Sequence, residues 1–80
     1  MNTLRVRWFA AYREATGVGE ESVRSAARTA AELFAEMTRR HQALGAYRRA
    51  LVAINDEMMG WGAALADGDE VLFFPPVAGG

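Results

Sequence analysis

One long helix is written into this chain, with strand-like segments on both sides of it. Thr29-Ala30-Ala31-Glu32 is a capping box, in which the threonine hydroxyl and the glutamate carboxylate each satisfy a backbone N–H left free at a helix start. Leu33, Phe34, Met37, His41 and Leu44 follow at helical spacing, with Glu36, Arg39 and Arg40 off that stripe. Gly45 marks an end or a break. An amphipathic helix has to bury its stripe against a second layer. The 80 residues include no cysteine, so neither a disulfide nor a thiolate–zinc staple can stand in for that layer. The flanking segments must supply it.

They read as strands. Leu4-Arg5-Val6-Arg7-Trp8-Phe9 alternates with the period of a half-buried strand. Leu4, Val6 and Trp8 face the core, which leaves Arg5, Arg7 and the apolar Phe9 on the opposite face. Ala10 to Ala15 is a short helix ended by Gly17. Glu20 to Ser25 is a weak edge strand around Val23. Leu51-Val52-Ala53-Ile54-Asn55 is a near-continuous apolar strand suited to a sheet interior. Asp56-Glu57 turns the chain into a short strand at Met58-Met59. Gly60-Trp61-Gly62 is irregular, with Trp61 and Leu65 as core plugs. Asp67-Gly68-Asp69 is a tight turn into the last strand, Glu70 to Phe74, which Pro75-Pro76 stops. The expected fold is therefore α+β: a β-grasp, ubiquitin-like domain over residues 1–74, its mixed sheet carrying the main helix on one face. The first and last strands lie side by side in the sheet centre, and residues 75–80 form an extended tail.

That tail runs Pro75-Pro76-Val77-Ala78-Gly79-Gly80. Glycine has no side chain to crowd its carbonyl, so a terminal Gly-Gly can enter a narrow active site and present its carboxylate for activation. The two prolines favour extended geometry and reduce the entropy lost when such a tail threads a channel. Val77 and Ala78 offer small apolar contacts. A frayed, inconsequential end is the competing reading, and the stiffened apolar lead-in argues against it.

Composition removes other function classes. A net charge of -1 gives no bulk electrostatic ground for binding nucleic acid. Without cysteine there is no internal thiol nucleophile or thioester, which fits a reducing compartment. All nine basic residues are arginine, so the N-terminus is the only ordinary amine and an activated Gly80 cannot build lysine-linked chains of this protein. No apolar run approaches a membrane span, and Met1 to Arg5 lack a signal-peptide pattern, so no membrane is expected as partner and the cytoplasm is the expected location. No phosphate loop, zinc spacing or nucleophile triad occurs, and nothing points to catalysis by the chain alone. His41 reads as a core-edge histidine, the methionines as packing or interface residues, and Asp67-Gly68-Asp69 as turn chemistry rather than a calcium site.

Leu51 to Asn55, Leu65 to Val71 and Phe73 to Gly80, together with Phe9-Ala10-Ala11-Tyr12-Arg13-Glu14 and Gly17, resemble the small subunit of molybdopterin synthase, the MoaD family. The double-proline tail is the most specific element, and Val18 to Arg49 carries little signature. The resemblance implies a sulfur carrier. In that family a ubiquitin-activating-like (MoeB-like) enzyme uses ATP and magnesium to adenylate the terminal glycine, here Gly80 with Gly79 before it. A sulfur donor then converts it to a thiocarboxylate, a C-terminal 1-thioglycine. The tail enters the large subunit, MoaE, and delivers sulfur to cyclic pyranopterin monophosphate within a heterotetramer. No cofactor bound by the carrier itself is implied.

Strand parity adds a docking face. If Val71 and Phe73 face the helix, Leu72 and Phe74 face away. Phe9 and Phe74 then share the outer side of neighbouring strands, with Met58 near them. Family positions matching Phe9, Met58 and Phe74 contact the large subunit, and Arg13 matches an arginine paired with acidic partner residues. Pro75, Pro76, Val77 and Ala78 complete the expected partner contacts. Three other readings stay open: a thiazole-synthesis carrier of the ThiS type, whose chains are usually shorter and lack Phe-Phe-Pro-Pro, a ubiquitin-like modifier joined to target lysines, and a purely structural interaction domain.

Overall fold

A computed structural model describes residues 1–46 and 51–75. In chain order it comprises β1 (Asn2–Trp8), α1 (Ala11–Thr16), β2 (Glu20–Ser25), α2 (Ala30–Arg40), a 3-10 helix (Gln42–Ala46), β3 (Leu51–Ile54), β4 (Glu57–Met59) and β5 (Glu70–Phe74). The five strands form one sheet in the order β2-β1-β5-β3-β4. The central pair, β1 and β5, is parallel, and every other pairing is antiparallel. The expected β-grasp arrangement is present, with first and last strands adjacent and β2 at an edge. No described helix is long and apolar enough to cross a membrane.

Alternation decides which face of the sheet is covered. Leu4, Val6 and Trp8 of β1, Val23 of β2, Val52 and Ile54 of β3, and Val71 and Phe73 of β5 are buried with Ala30, Leu33, Phe34 and Met37 of α2. Phe73 is the hub of an aromatic cluster. Its ring lies 5.3 Å from Trp8, 5.1 Å from Phe34 and 5.8 Å from Trp61, which stacks on it at 6°. Trp61 and Leu65 pack against this core from the irregular segment, as expected of plugs. That segment also closes the start of α2. The N–H groups of Ala30 and Ala31 donate to the carbonyls of Ala63 and Trp61, removing donors that a helix start otherwise leaves free.

Local details differ from the sequence expectation in five places. The Thr29 hydroxyl accepts from the Glu32 N–H at 3.2 Å, as in a capping box, but the Glu32 carboxylate reaches back to the Arg28 N–H at 2.9 Å. α2 ends at Arg40 rather than at Gly45, because His41 turns extended and its ring reaches Glu21 on β2 at 2.8 Å. The 3-10 helix that follows still returns Leu44 to the core. The β3–β4 turn is Asn55-Asp56, not Asp56-Glu57: both residues have positive φ, 51° and 67°, the signature of a two-residue hairpin loop, and Glu57 pairs with Ile54. Phe9 lies just past the end of β1, in a tight turn in which the Tyr12 N–H donates to the Phe9 carbonyl at 3.1 Å. Ala10 sits second in that turn with φ 50° and ψ −124°, a conformation that favours glycine. Gly17 and Gly68 take the positive φ expected at a helix end and in the Asp67–Asp69 turn.

Candidate functional site

The uncovered face of the sheet carries the site. β5 runs between β1 and β3, with Phe73 opposite both Trp8 and Val52, and Phe74 opposite Leu51. Phe73 therefore points into the core while Phe74, half-buried, points outward beside the position that follows Trp8. Phe9 occupies that position. Its ring packs edge-on against Phe74 with centroids 5.2 Å apart, although Phe9 remains 52% exposed. The backbone holds it there from both sides: the Trp8 N–H donates to the Gly19 carbonyl at 2.9 Å, and the turn at Ala10 redirects the chain into α1.

Met58 lies on the same face. It pairs with Ala53, which in turn pairs with Leu72, so Met58, Ala53 and Leu72 form one row across three strands. The row beside it contains Leu51 and Phe74. Together Phe9, Leu51, Met58, Leu72 and Phe74 make a contiguous apolar patch, within which Phe9, Leu51 and Met58 are each more than half exposed. Leu51 is absent from the sequence-based site because its run looked like an interior strand buried on both faces. Its register against Phe74 was the missing signal.

The other half of this face is charged and partly paired. Arg7, opposite Leu72 and Glu20, lies 3.3 Å from Glu70 and 3.8 Å from Glu20. These groups are well exposed, so the pairs orient side chains more than they stabilise the fold. Arg13 projects from α1 over Gly19, where an added Cβ would meet its Nε at 3.4 Å. Among the described residues it makes no ion pair.

On the covered face, polar groups near the site are satisfied structurally. The Trp8 indole N–H donates to Glu21 at 2.9 Å, and the same carboxylate oxygen meets His41 Nε2. His41 is a core-edge group, as expected. Burial pushes the Tyr12 hydroxyl up to about 12, so it stays neutral across the physiological range. No cluster of three or more His, Cys, Asp or Glu able to hold a metal occurs among the described residues. Pro75 is described and half-buried directly after Phe74, whereas Pro76, Val77, Ala78, Gly79 and Gly80 lie outside the described residues. The structure thus joins Phe9 to Phe74, sets Met58 on their face, and places Arg13 over Gly19.

Comparison with known proteins supports the fold. Residues 6–80 match the ThiS family. The chain is 35% identical to the molybdopterin synthase sulfur carrier subunit of Escherichia coli, over 96% of this chain and 99% of that protein. Among solved structures it resembles small archaeal modifier protein 1 of Haloferax volcanii, with TM-score 0.84 and 26% identity over 96% of this chain and 100% of the other. It also resembles a chain in the complex of subunits 1 and 2 of the molybdopterin-converting factor of Helicobacter pylori, with TM-score 0.66 and 25% identity over 98% and 99% of the two chains.

Proposed function

The chain belongs to the ThiS/MoaD family, and from that premise we propose that it is the sulfur-carrying small subunit of a molybdopterin synthase. The observation that carries this reading is the apolar patch around Phe9 and Phe74, because it lies on the strand that runs directly into Pro75 and the Gly-Gly end. A partner that covers the patch gains a fixed starting point for the segment bearing the reactive group.

A carboxylate is a poor electrophile, so the chemistry begins with activation. A Gly80 carboxylate oxygen attacks the α-phosphorus of ATP in a MoeB-like enzyme, with magnesium bound to the nucleotide, and pyrophosphate leaves. Hydrosulfide from a sulfur donor then adds to the acyl carbon of the adenylate, and AMP departs as the leaving group. The resulting thiocarboxylate is an anionic, soft sulfur nucleophile at neutral pH. Inserted into the MoaE-like large subunit, its sulfur displaces an oxygen substituent on cyclic pyranopterin monophosphate, and water then cleaves the acyl–sulfur bond, which leaves the sulfur on the pterin and Gly80 as the carboxylate. Two carriers and two large subunits make the assembly, and the cytoplasm, where the activating enzyme finds its ATP, is its proposed location. Gly80 matters because any side chain there crowds the carbonyl under attack. Arg13 contributes a cation at the rim of the docking face.

Reconstitution with the large subunit, the activating enzyme, a sulfur donor and the pterin precursor tests the proposal. The wild-type chain forms molybdopterin. Replacement of Gly80 by a bulky residue abolishes thiocarboxylation, and Phe74→Asp weakens docking of a folded carrier. Full activity of a bulky Gly80 variant would overturn it. The similarity to an archaeal modifier protein favours one second reading, attachment to target lysines through the same activated Gly80. Covalent adducts with other proteins, in place of a mass gain of one sulfur for one oxygen, would select it. Sulfur delivery in thiazole formation is the remaining outcome, marked by support of that synthesis with the pterin precursor unconverted.

A further inference from the structure

With no cysteine in the chain, its oxidisable sulfur resides in four methionine thioethers. The fold treats them very differently. Met37 is wholly buried, whereas Met1, Met58 and Met59 are 82%, 54% and 41% exposed. Met58 and Met59 are neighbours on the edge strand β4, yet they point to opposite faces of the sheet. Met59 pairs with Val52 and shares its helix-covered side, while Met58 pairs with Ala53 and stands in the row of Leu72 on the open side. One oxidisable group is therefore set inside the apolar patch, with a chemically matched control beside it.

We propose that Met58 is a reversible oxidation site through which a peroxide oxidant disables docking of the carrier. The inference rests on the open face being the docking surface. In the step, a Met58 Sδ lone pair attacks one oxygen of hydrogen peroxide and the O–O bond breaks. The hydroxysulfonium then gives its proton to the departing hydroxide. The products are methionine sulfoxide and water, the sulfur having lost two electrons and the peroxide having gained them. A flexible apolar side chain becomes a polar one with a strong acceptor oxygen. Around Met58 the patch supplies Ala53, Leu51 and Leu72, none of which has a side-chain donor for that oxygen. A partner closing over the patch would bury the acceptor unsatisfied, which corresponds to a loss of about ten- to a hundred-fold in affinity. Methionine sulfoxide reductases reverse this class of modification, so the effect can be undone without resynthesis of the chain.

The test uses the full chain in its carboxylate form, so that no thiocarboxylate competes for oxidant. After hydrogen peroxide treatment, peptide mass spectrometry assigns each sulfoxide and calorimetry measures affinity for the large subunit. Each protein is compared with its own untreated form. Wild type and Met59→Leu lose affinity about ten-fold or more on oxidation, Met58→Leu does not, and methionine sulfoxide reductase restores the first two. Far-UV circular dichroism shows an intact fold throughout. Affinity unchanged by complete oxidation of Met58, an equal loss in oxidised Met58→Leu, or unfolding on oxidation would each overturn the inference. An untreated wild-type chain that fails to bind the large subunit would overturn the docking face itself, a result distinct from binding that survives oxidation.

Discussion

Phe73 and Phe74 are adjacent and chemically identical, yet they should respond in opposite ways to truncation. Phe73 is fully buried and in ring contact with Trp8, Phe34 and Trp61. Phe73→Ala removes that hub and leaves a cavity among rigid rings, so it should cost about 3–5 kcal/mol. Phe74 is half-buried, with Phe9 as its ring neighbour. Full burial of such a side chain is worth roughly 1.5–3 kcal/mol, so truncation at Phe74 should cost on the order of 1 kcal/mol. A domain of this size has only about 4–12 kcal/mol of total stability. Phe73→Ala therefore approaches complete unfolding, and Phe73→Leu provides a milder second point. Urea titration followed by far-UV circular dichroism is the suitable assay, because both tryptophans lie close enough to Phe73 to disturb a fluorescence baseline. With a urea slope of about 1 kcal/mol per molar, the Phe73→Ala midpoint falls by about 3 M or more and that of Phe74→Ala by about 1 M. Binding reverses the order: Phe74→Ala loses an aromatic anchor, with an expected affinity loss of about thirty-fold, while a folded Phe73→Leu keeps its affinity. Equal destabilisation by the two alanines, or loss of binding confined to the Phe73 variant, would refute the assignment of faces.

Three further outcomes follow from local geometry. Ala10→Gly should raise stability by up to about 1 kcal/mol in the same titration, because Ala10 holds a φ and ψ that suit glycine. Asn55→Ala should cost about 1–3 kcal/mol: it strains a positive-φ position and removes the bonds that Asn55 makes to Asp69 and to the Glu70 N–H. Stability should also decline between about pH 10 and 12. Tyr12 is held neutral in the fold up to about 12 while its unfolded counterpart ionises from 10.0, so the unfolded state sheds its proton first and gains on the folded one through that window. Thermal melts across that range should show a shallower alkaline decline for Tyr12→Phe.

Much of the architecture was legible because alternation is an unambiguous signal. Leu4, Val6 and Trp8 against Arg5 and Arg7 fixed the inner face of β1, and the same parity on β5 separated Phe73 from Phe74. Once β1 and β5 are neighbours, Phe9 and Phe74 must meet on the outside. What was not legible depends on register and on bonds across the chain. Leu51 looks like a core residue in its apolar run, and only its pairing with Phe74 exposes it. The early end of α2 comes from a side-chain bond between His41 and Glu21, residues distant in sequence. The shift of the β3–β4 turn depends on Asn55 tolerating a left-handed backbone, which its apolar predecessors masked. The strain at Ala10 has no sequence sign, since alanine there reads as an ordinary helix former.

Sulfuration of the Gly80 acyl group is the decisive event, and intact-mass measurement reads it without an intermediary. The purified chain is incubated with the activating enzyme, ATP, magnesium and a sulfur donor, then weighed whole and after fragmentation. The expected result is a gain equal to one sulfur replacing one oxygen, located at Gly80, dependent on ATP and lost in a bulky Gly80 variant. An unchanged mass, or the same gain placed elsewhere in the chain, would contradict it.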